Sequence, residues 1–351
     1  MNVVYSSSDS YSEIAGISIT SLLENNRDAD NVTIYVIDND ISEQNRQNLE
    51  TIVERYGRTL IFLDKLNIEE ISGTKINVGR WHISTFFRLF LATLLPDTVD
   101  RVMYVDCDMI IRESLRPVWE MDMAGNYAMA ADDCRGERYR ADIGLKPDQL
   151  YVNNGFLLID LKAWRENNIE QKYIEFISRY EGDVTYMDQG VLNGVLGAMK
   201  LVGLLPLKYN SQTVFYDFDI EEVKKYRNPV LAYTEAQVRE YTKDPAIVHF
   251  TSSFISGTRP WNIKNDHAFR GEYLHYKSMT PWKDAPLRED DRKLAKKIMT
   301  VVCQVLPTNL MLAAISVVHT TLYPMVRNFK GQRKMRRVSA ANAVIRLADQ
   351  P

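Results

Sequence analysis

A run of strand-forming residues ends in two carboxylates at Arg101-Val102-Met103-Tyr104-Val105-Asp106-Cys107-Asp108. In extended backbone, side chains two apart point to the same side, so a strand ending here presents Asp106 and Asp108 together. Paired anionic oxygens suit a hard divalent cation, and such an ion can hold a diphosphate and offset its charge as it leaves. Asp pairs at strand ends also cap turns, so the D-x-D spacing alone does not decide between binding and capping.

The surroundings narrow the choice. Apolar strand-like runs at 2–5, 32–38, 60–63 and 101–105 alternate with helical patterns at 12–25, 42–56 and 84–95. Ser42 is suited to cap one helix, Gly57 to stop it, and Pro96 to end the next. Such alternation predicts a parallel sheet covered on both faces, whose ligands bind beyond the carboxyl ends of the strands. The polar turn at 6–10 and the Asp pair both lie at such ends. Further strands are expected at 126–131, 151–161 and 246–250, and further helices at 165–180 and 188–197.

A length of 351 residues allows one large α/β domain with an appendage. The three cysteines, Cys107, Cys134 and Cys303, form no C-x-x-C pair, which argues against a structural zinc site and a disulfide scaffold. Met1 to Tyr5 lead into a strand without the basic start and apolar core of a signal peptide, so cytoplasmic synthesis is expected. Charge is uneven. The net charge is −3, yet ten Lys and Arg and no acid lie between 292 and 337, leaving −13 for the rest.

Several residues carry chemistry beside the Asp pair. His249 near the end of a short apolar strand is either a core residue or the third member of a set that suits Mn²⁺ better than Ca²⁺. Asp188 and Gln189 either cap a helix or bond sugar hydroxyls. Asn153, Asn154 and Gly155 interrupt an apolar run, as a bulge or as amides aimed at a polar ligand. Arg88, set among Phe86, Phe87, Leu89 and Phe90, needs an anionic partner. The turn Gly257-Thr258-Arg259-Pro260-Trp261 is a surface loop or a phosphate contact.

The segments VVYSSSDSY, FFRLFLATLLP, RVMYVDCDMII, YVNNGFLLIDLKAW, YMDQGVLN, LPLKYN and IVHF followed by GTRPW stand in an order and spacing that resemble glycosyltransferase family 8. The resemblance covers about residues 2 to 283. It implies an α/β fold of the GT-A class (a Rossmann-like nucleotide-diphospho-sugar transferase) over 1–283, with a helical basic extension over 284–351. It also implies transfer of a hexose from a UDP-sugar, with retention, using Mn²⁺ or Mg²⁺. Position by position, Asp106, Asp108 and His249 resemble the metal ligands. Arg88, Asn153, Asp188 and Gln189 resemble donor-sugar contacts, Gly257 and Arg259 the loop that closes on the diphosphate, and Asp133 an acceptor-side or sugar-binding carboxylate. Gln189, as an amide, suits electrostatic stabilisation rather than covalent attack. No general base stands out, which agrees with the leaving phosphate taking the acceptor's proton.

Two departures stand out. Ser8 occupies the place of the family's uracil-binding Asp, so the base contact shifts to the adjacent Asp9 or the preference for UDP is relaxed. Arg259 replaces the usual Lys before Pro-Trp, which keeps charge and changes geometry. The implied partners are a UDP-hexose donor and a glycan or lipid-linked saccharide acceptor in bacterial surface polysaccharide or lipopolysaccharide synthesis. The alternatives are a metal-dependent sugar nucleotidyltransferase and a non-catalytic UDP-sugar-binding module.

From Ile298 to Val326 no residue carries a formal charge, but Pro307 and Pro324 interrupt the run. Apolar stretches flanked by Lys and Arg suit helices lying on an anionic membrane surface, peripheral on the inner face of the cell membrane. A packed helical extension with a solvated basic end is the other reading. Nothing else in the chain supports nucleic-acid binding.

Overall fold

The computed structural model describes residues 1–79, 82–252 and 257–318. Among the described residues are ten strands: β1 (Asn2–Ser8), β2 (Thr33–Asn39), β3 (Thr59–Asp64), β4 (Arg101–Val105), β5 (Met109–Ile111), β6 (Ala128–Ala130), β7 (Phe156–Asp160), β8 (Val202–Leu204), β9 (Ser211–Gln212) and β10 (Ile247–His249). Seven form one sheet in the order β3-β2-β1-β4-β7-β6-β8, and three form a second, β5-β10-β9. The strands β3, β2, β1 and β4 are parallel, as expected. Strand β7 runs antiparallel to β4 and β6 and so departs from the all-parallel expectation.

Alternation along the central strands explains the two cores. Val3, Tyr5, Met103, Val105, Phe156 and Leu158 face one, beneath the helices α1 (Ser12–Glu24) and α2 (Glu43–Arg55). Val4, Val102, Tyr104, Leu157 and Ile159 face the other, with the segment 83–95 and the helices Ile169–Arg179 and Met187–Leu192. A sheet covered on both faces needs apolar residues at every position of its central strands, and these strands have them.

Three local differences from the sequence expectation concern the segments 83–95, 151–161 and 161–180. The helix expected from Ser84 is a 3-10 turn over Ile83–Phe90, followed by one α turn over Leu91–Leu94. Residues 86 to 90 are all buried, so packing on several sides sets its geometry rather than a single apolar stripe. The strand expected over 151–161 is regular only from Phe156, and Val152 instead bridges Asp132. The helix expected over 165–180 is two, Leu161–Glu166 and Ile169–Arg179.

The helix from Met187 widens into a π-helical stretch, Asn193–Gly197. Asn193, fully buried, accepts from Val152 N at 2.8 Å and donates to Val152 O and Gln189 O, each at 2.9 Å. Its amide acts as a strand partner for the irregular segment that carries Asn153 and Asn154.

Beyond 283 the chain folds back. Arg288 bridges Asn262 in parallel, and its N–H donates to Trp261 O at 2.8 Å. The helices Leu294–Val305 and Thr308–Ser316 follow, burying Cys303, Met311, Leu312 and Ile315 beside Val214, Ile220 and Val223. Among the described residues no helix is long and apolar enough to cross a membrane. The basic cluster at 327–337 lies outside the described residues.

Replacing Asn193 with Leu strands two buried backbone groups at Val152, each costing about 1–3 kcal/mol. We expect Asn193→Leu to lower the unfolding free energy by at least about 2 kcal/mol in denaturant titration.

Candidate active site

The regular strand β4 stops at Val105, and Asp106 N–H donates to Gly155 O at 2.8 Å. Residues 107 and 108 then turn into β5. The two carboxylates therefore meet through a tight turn rather than through the pleat of a longer strand. Strand β10 lies beside β5 with His249 opposite Met109, and Phe250 N–H donates to Asp108 O at 2.9 Å. That register sets His249 Nε2 3.3 Å from Asp108 Oδ1 and 3.9 Å from Asp106 Oδ2. One ligand atom from each of Asp106, Asp108 and His249 falls within 4.8 Å of the other two, as a shared cation requires.

Gly155 leaves the space for this cluster. A Cβ there would lie 2.5 Å from His249 Cε1 and 2.9 Å from Asp106 Oδ2. The glycine serves a close approach of side chains rather than an unusual backbone angle.

Two cations hold the acidic groups. Arg88 is buried and pairs with Asp106 Oδ1 at 2.9 Å and Asp188 Oδ2 at 3.0 Å. It also donates to Asn154 O at 2.7 Å and Thr85 O at 3.0 Å, and its guanidinium stands 4.4 Å from the Tyr104 ring centroid. Burial opposes its charge, but Asp106, Tyr104 and Asp188 outweigh that and drive its pKa up. Asp188 is pushed above the usual carboxylate range by burial, since it shares its one arginine with Asp106. Arg259 Nη1 meets Asp108 Oδ2 at 2.5 Å.

A polar network continues from Asn153. Its Nδ2 donates to Asp133 Oδ1 at 3.1 Å, and its Oδ1 accepts from Gly155 N at 3.0 Å and Asn210 Nδ2 at 2.8 Å. Asp133 also accepts from Gln189, Gln212 and Arg135 at 3.1, 2.9 and 2.8 Å. Burial opposes its charge, but Arg135 and Arg227 hold its pKa below the ordinary value. Gln189 Nε2 donates to Asp133 and, at 3.1 Å, to the Tyr151 hydroxyl. Both amide hydrogens have partners, so the carbonyl Oε1 is the freer end, 3.4 Å from Asn153 Nδ2. Asn154 Nδ2 donates to Asp188 Oδ2 at 2.6 Å.

Tyr186 and Met187, at φ 65° and 55°, enter the helix in the left-handed region, which costs free energy in non-glycine residues. Gly190 allows that turn, for a Cβ there would lie 1.9 Å from Thr185 O.

The sequence-derived residues thus fall into three groups. Asp106, Asp108, His249, Arg88, Asp188, Asn154, Asn153, Asp133, Gln189 and Arg259 share one network. Gly257, at φ 61°, packs on Arg292, whose Nη1 would be 1.7 Å from a Cβ at that position. Ser8 and Asp9 sit at the carboxyl end of β1. Asp9 Oδ1 accepts from Ser42 N at 2.8 Å and Asn45 Nδ2 at 2.7 Å, which ties it to the start of α2. Sequence reasoning missed Asn210, Gln212, Tyr151 and Arg135. The run Asn210-Ser211-Gln212-Thr213 is entirely polar, yet all four are buried.

Residues 2–265 match the model of glycosyl transferase family 8. The chain is 29% identical over 286 residues to general stress protein A of Bacillus subtilis (strain 168), spanning 80% of this chain and 94% of that protein. It is 26% identical over 295 residues to a lipopolysaccharide 1,2-glucosyltransferase of Escherichia coli (strain K12), spanning 82% and 81%. Among solved structures, the galactosyltransferase LgtC in complex with donor and acceptor sugar analogs superposes with a TM-score of 0.67 at 26% identity, covering 81% of this chain and 99% of that one.

Gly155→Ala drives a methyl group between His249 and Asp106. We expect it to abolish saturable Mn²⁺ binding in isothermal titration while the protein keeps its native circular dichroism.

Proposed function

Since the chain belongs to glycosyltransferase family 8, we propose that it moves a hexose, galactose or glucose, from a UDP-sugar to a saccharide acceptor with retention of configuration. The acceptor belongs to bacterial surface polysaccharide or lipopolysaccharide, the class on which the named Escherichia coli relative acts. The observation that carries this reading is the cluster of Asp106, Asp108 and His249 at the carboxyl end of β4, joined by side-chain bonds to Gln189.

The donor set fits a divalent cation. Two carboxylates and one imidazole converge, and hard oxygen with borderline nitrogen suits Mn²⁺, with Mg²⁺ as the alternative. Bound there, the ion supplies a Lewis acid that offsets charge on a leaving diphosphate. Arg259, beside Asp108, adds a fixed cation at the same place. Gln189 presents its carbonyl oxygen to the sugar and favours a positively charged, oxocarbenium-like centre. Asp133 and Tyr151 hold that orientation. Arg88 spends its donors on Asp106, Asp188, Asn154 and Thr85, so it braces the site from behind. Asp9, engaged with α2, leaves Ser8 and neighbouring backbone to meet the base.

UDP release from a panel of UDP-sugars without added acceptor tests this reading. We expect one UDP-hexose to be hydrolysed with Mn²⁺ and not with EDTA, Asp108→Asn to remove the Mn²⁺-dependent hydrolysis, and Gln189→Ala to lower turnover at least about tenfold. Pyrophosphate release would instead mark a nucleotidyltransferase, and binding without hydrolysis a sugar-nucleotide-binding module.

The extension supports a membrane-surface acceptor. Leu294, Ile298, Val301, Val302, Val305 and Leu310 are exposed on the two helices after 293, beside Lys293, Lys296 and Lys297. Apolar side chains rimmed by lysines complement an anionic lipid surface. The double variant Val305→Asp/Leu310→Asp, changed only at exposed positions, should cosediment less with phosphatidylglycerol vesicles than the parent. Equal sedimentation of the two would remove lipid docking by these helices.

A further inference from the structure

We propose that Asn210 is a positioning residue that sets the tautomer of His249, leaving its Nε2 lone pair aimed at Asp106 and Asp108. This rests on the cation-binding reading of those three residues and adds the cause of their readiness.

The orientation propagates from backbone. Gly155 N–H can only donate, and it meets a side-chain atom of Asn153 at 3.0 Å, so that atom is oxygen. The other end of Asn153 meets Asp133 Oδ1 at 3.1 Å, and Asp133 is held ionised, so that end is the NH₂ group. Two independent anchors therefore forbid a flip of Asn153. Its oxygen next meets Asn210 at 2.8 Å, which must present Nδ2 there. Asn210 then turns Oδ1 toward His249 Nδ1, at 2.9 Å. An amide oxygen only accepts, so Nδ1 carries the hydrogen.

In neutral imidazole the hydrogen then belongs to Nδ1 and the lone pair to Nε2. Nε2 lies 3.3 Å from Asp108 Oδ1. With no hydrogen on Nε2, three electron-pair donors face one another, an arrangement that favours a cation over a hydrogen bond. Asn210 and His249 are 0% and 5% exposed, so water does not compete for Nδ1. Partners that orient a metal-binding histidine typically change metal affinity about 10–100-fold.

The test uses metal-free, full-length protein labelled with ¹⁵N-histidine, with His249 assigned by its loss in His249→Gln. The ring-nitrogen shifts give the tautomer, and electron paramagnetic resonance of free Mn²⁺ in the presence of UDP gives the affinity. The wild type should show hydrogen on Nδ1. Asn210→Ala should lose that preference and weaken Mn²⁺ about 10–100-fold. Asn210→Asp keeps an acceptor for Nδ1 while setting an oxygen against Asn153 Oδ1. It should lose thermal stability, as the alanine variant does, yet keep the Nδ1 tautomer and most of the affinity. Hydrogen on Nε2 in the wild type, or an unchanged tautomer in Asn210→Ala, overturns the inference even where Mn²⁺ binds normally. Absence of Mn²⁺ binding in a wild type that holds the Nδ1 tautomer would overturn the cation reading instead.

Discussion

One buried guanidinium holds the site together. Arg88 comes from a 3-10 turn, Asp106 from the end of β4, Asp188 from the first turn of a helix and Asn154 from the irregular lead into β7. Two carboxylates this close repel each other without a cation between them. A planar fork with donors in several directions can serve all of these partners, which a lysine cannot. A division follows: Arg88 neutralises from behind, and Asp106 and Asp108 keep oxygens turned toward His249.

The sheet delivers these parts. The parallel strands end on one side, where their carboxyl-terminal turns collect polar residues, and β7 brings the Asn153-Asn154-Gly155 segment to the same edge from the opposite direction. The three-stranded sheet then carries His249 in from late in the chain. Segments far apart in sequence become neighbours because each has an apolar run that belongs in a core and a polar end that does not.

Much of this was legible beforehand. The Asp pair, His249, Arg88 amid phenylalanines and the D-Q-G turn each break an apolar pattern, and such breaks mark places where burial serves something other than stability. The β7 direction was not legible, since an antiparallel strand covered on both faces has the same continuous apolar composition as a parallel one. Asn210 was hidden for a different reason. A polar run between two apolar ones looks like a loop, and only the tertiary fold shows that Asn210, Ser211, Gln212 and Thr213 are buried. The two carboxylates were expected to meet through strand alternation, and they meet through a turn.

Within the Asp106, Asp108 and His249 cluster, Asp108 and His249 are 141 positions apart. Synthesis runs from the N-terminus, and strands β1 to β8 are complete by Leu204. A nascent chain of that length contains every strand of the large sheet and both aspartates, but it lacks Asn210 and His249. The aspartates then have Arg88 as counter-charge and no imidazole beside them. A ribosome-bound intermediate is thereby unable to assemble the three-residue cluster, which is completed only with the last strand of the small sheet.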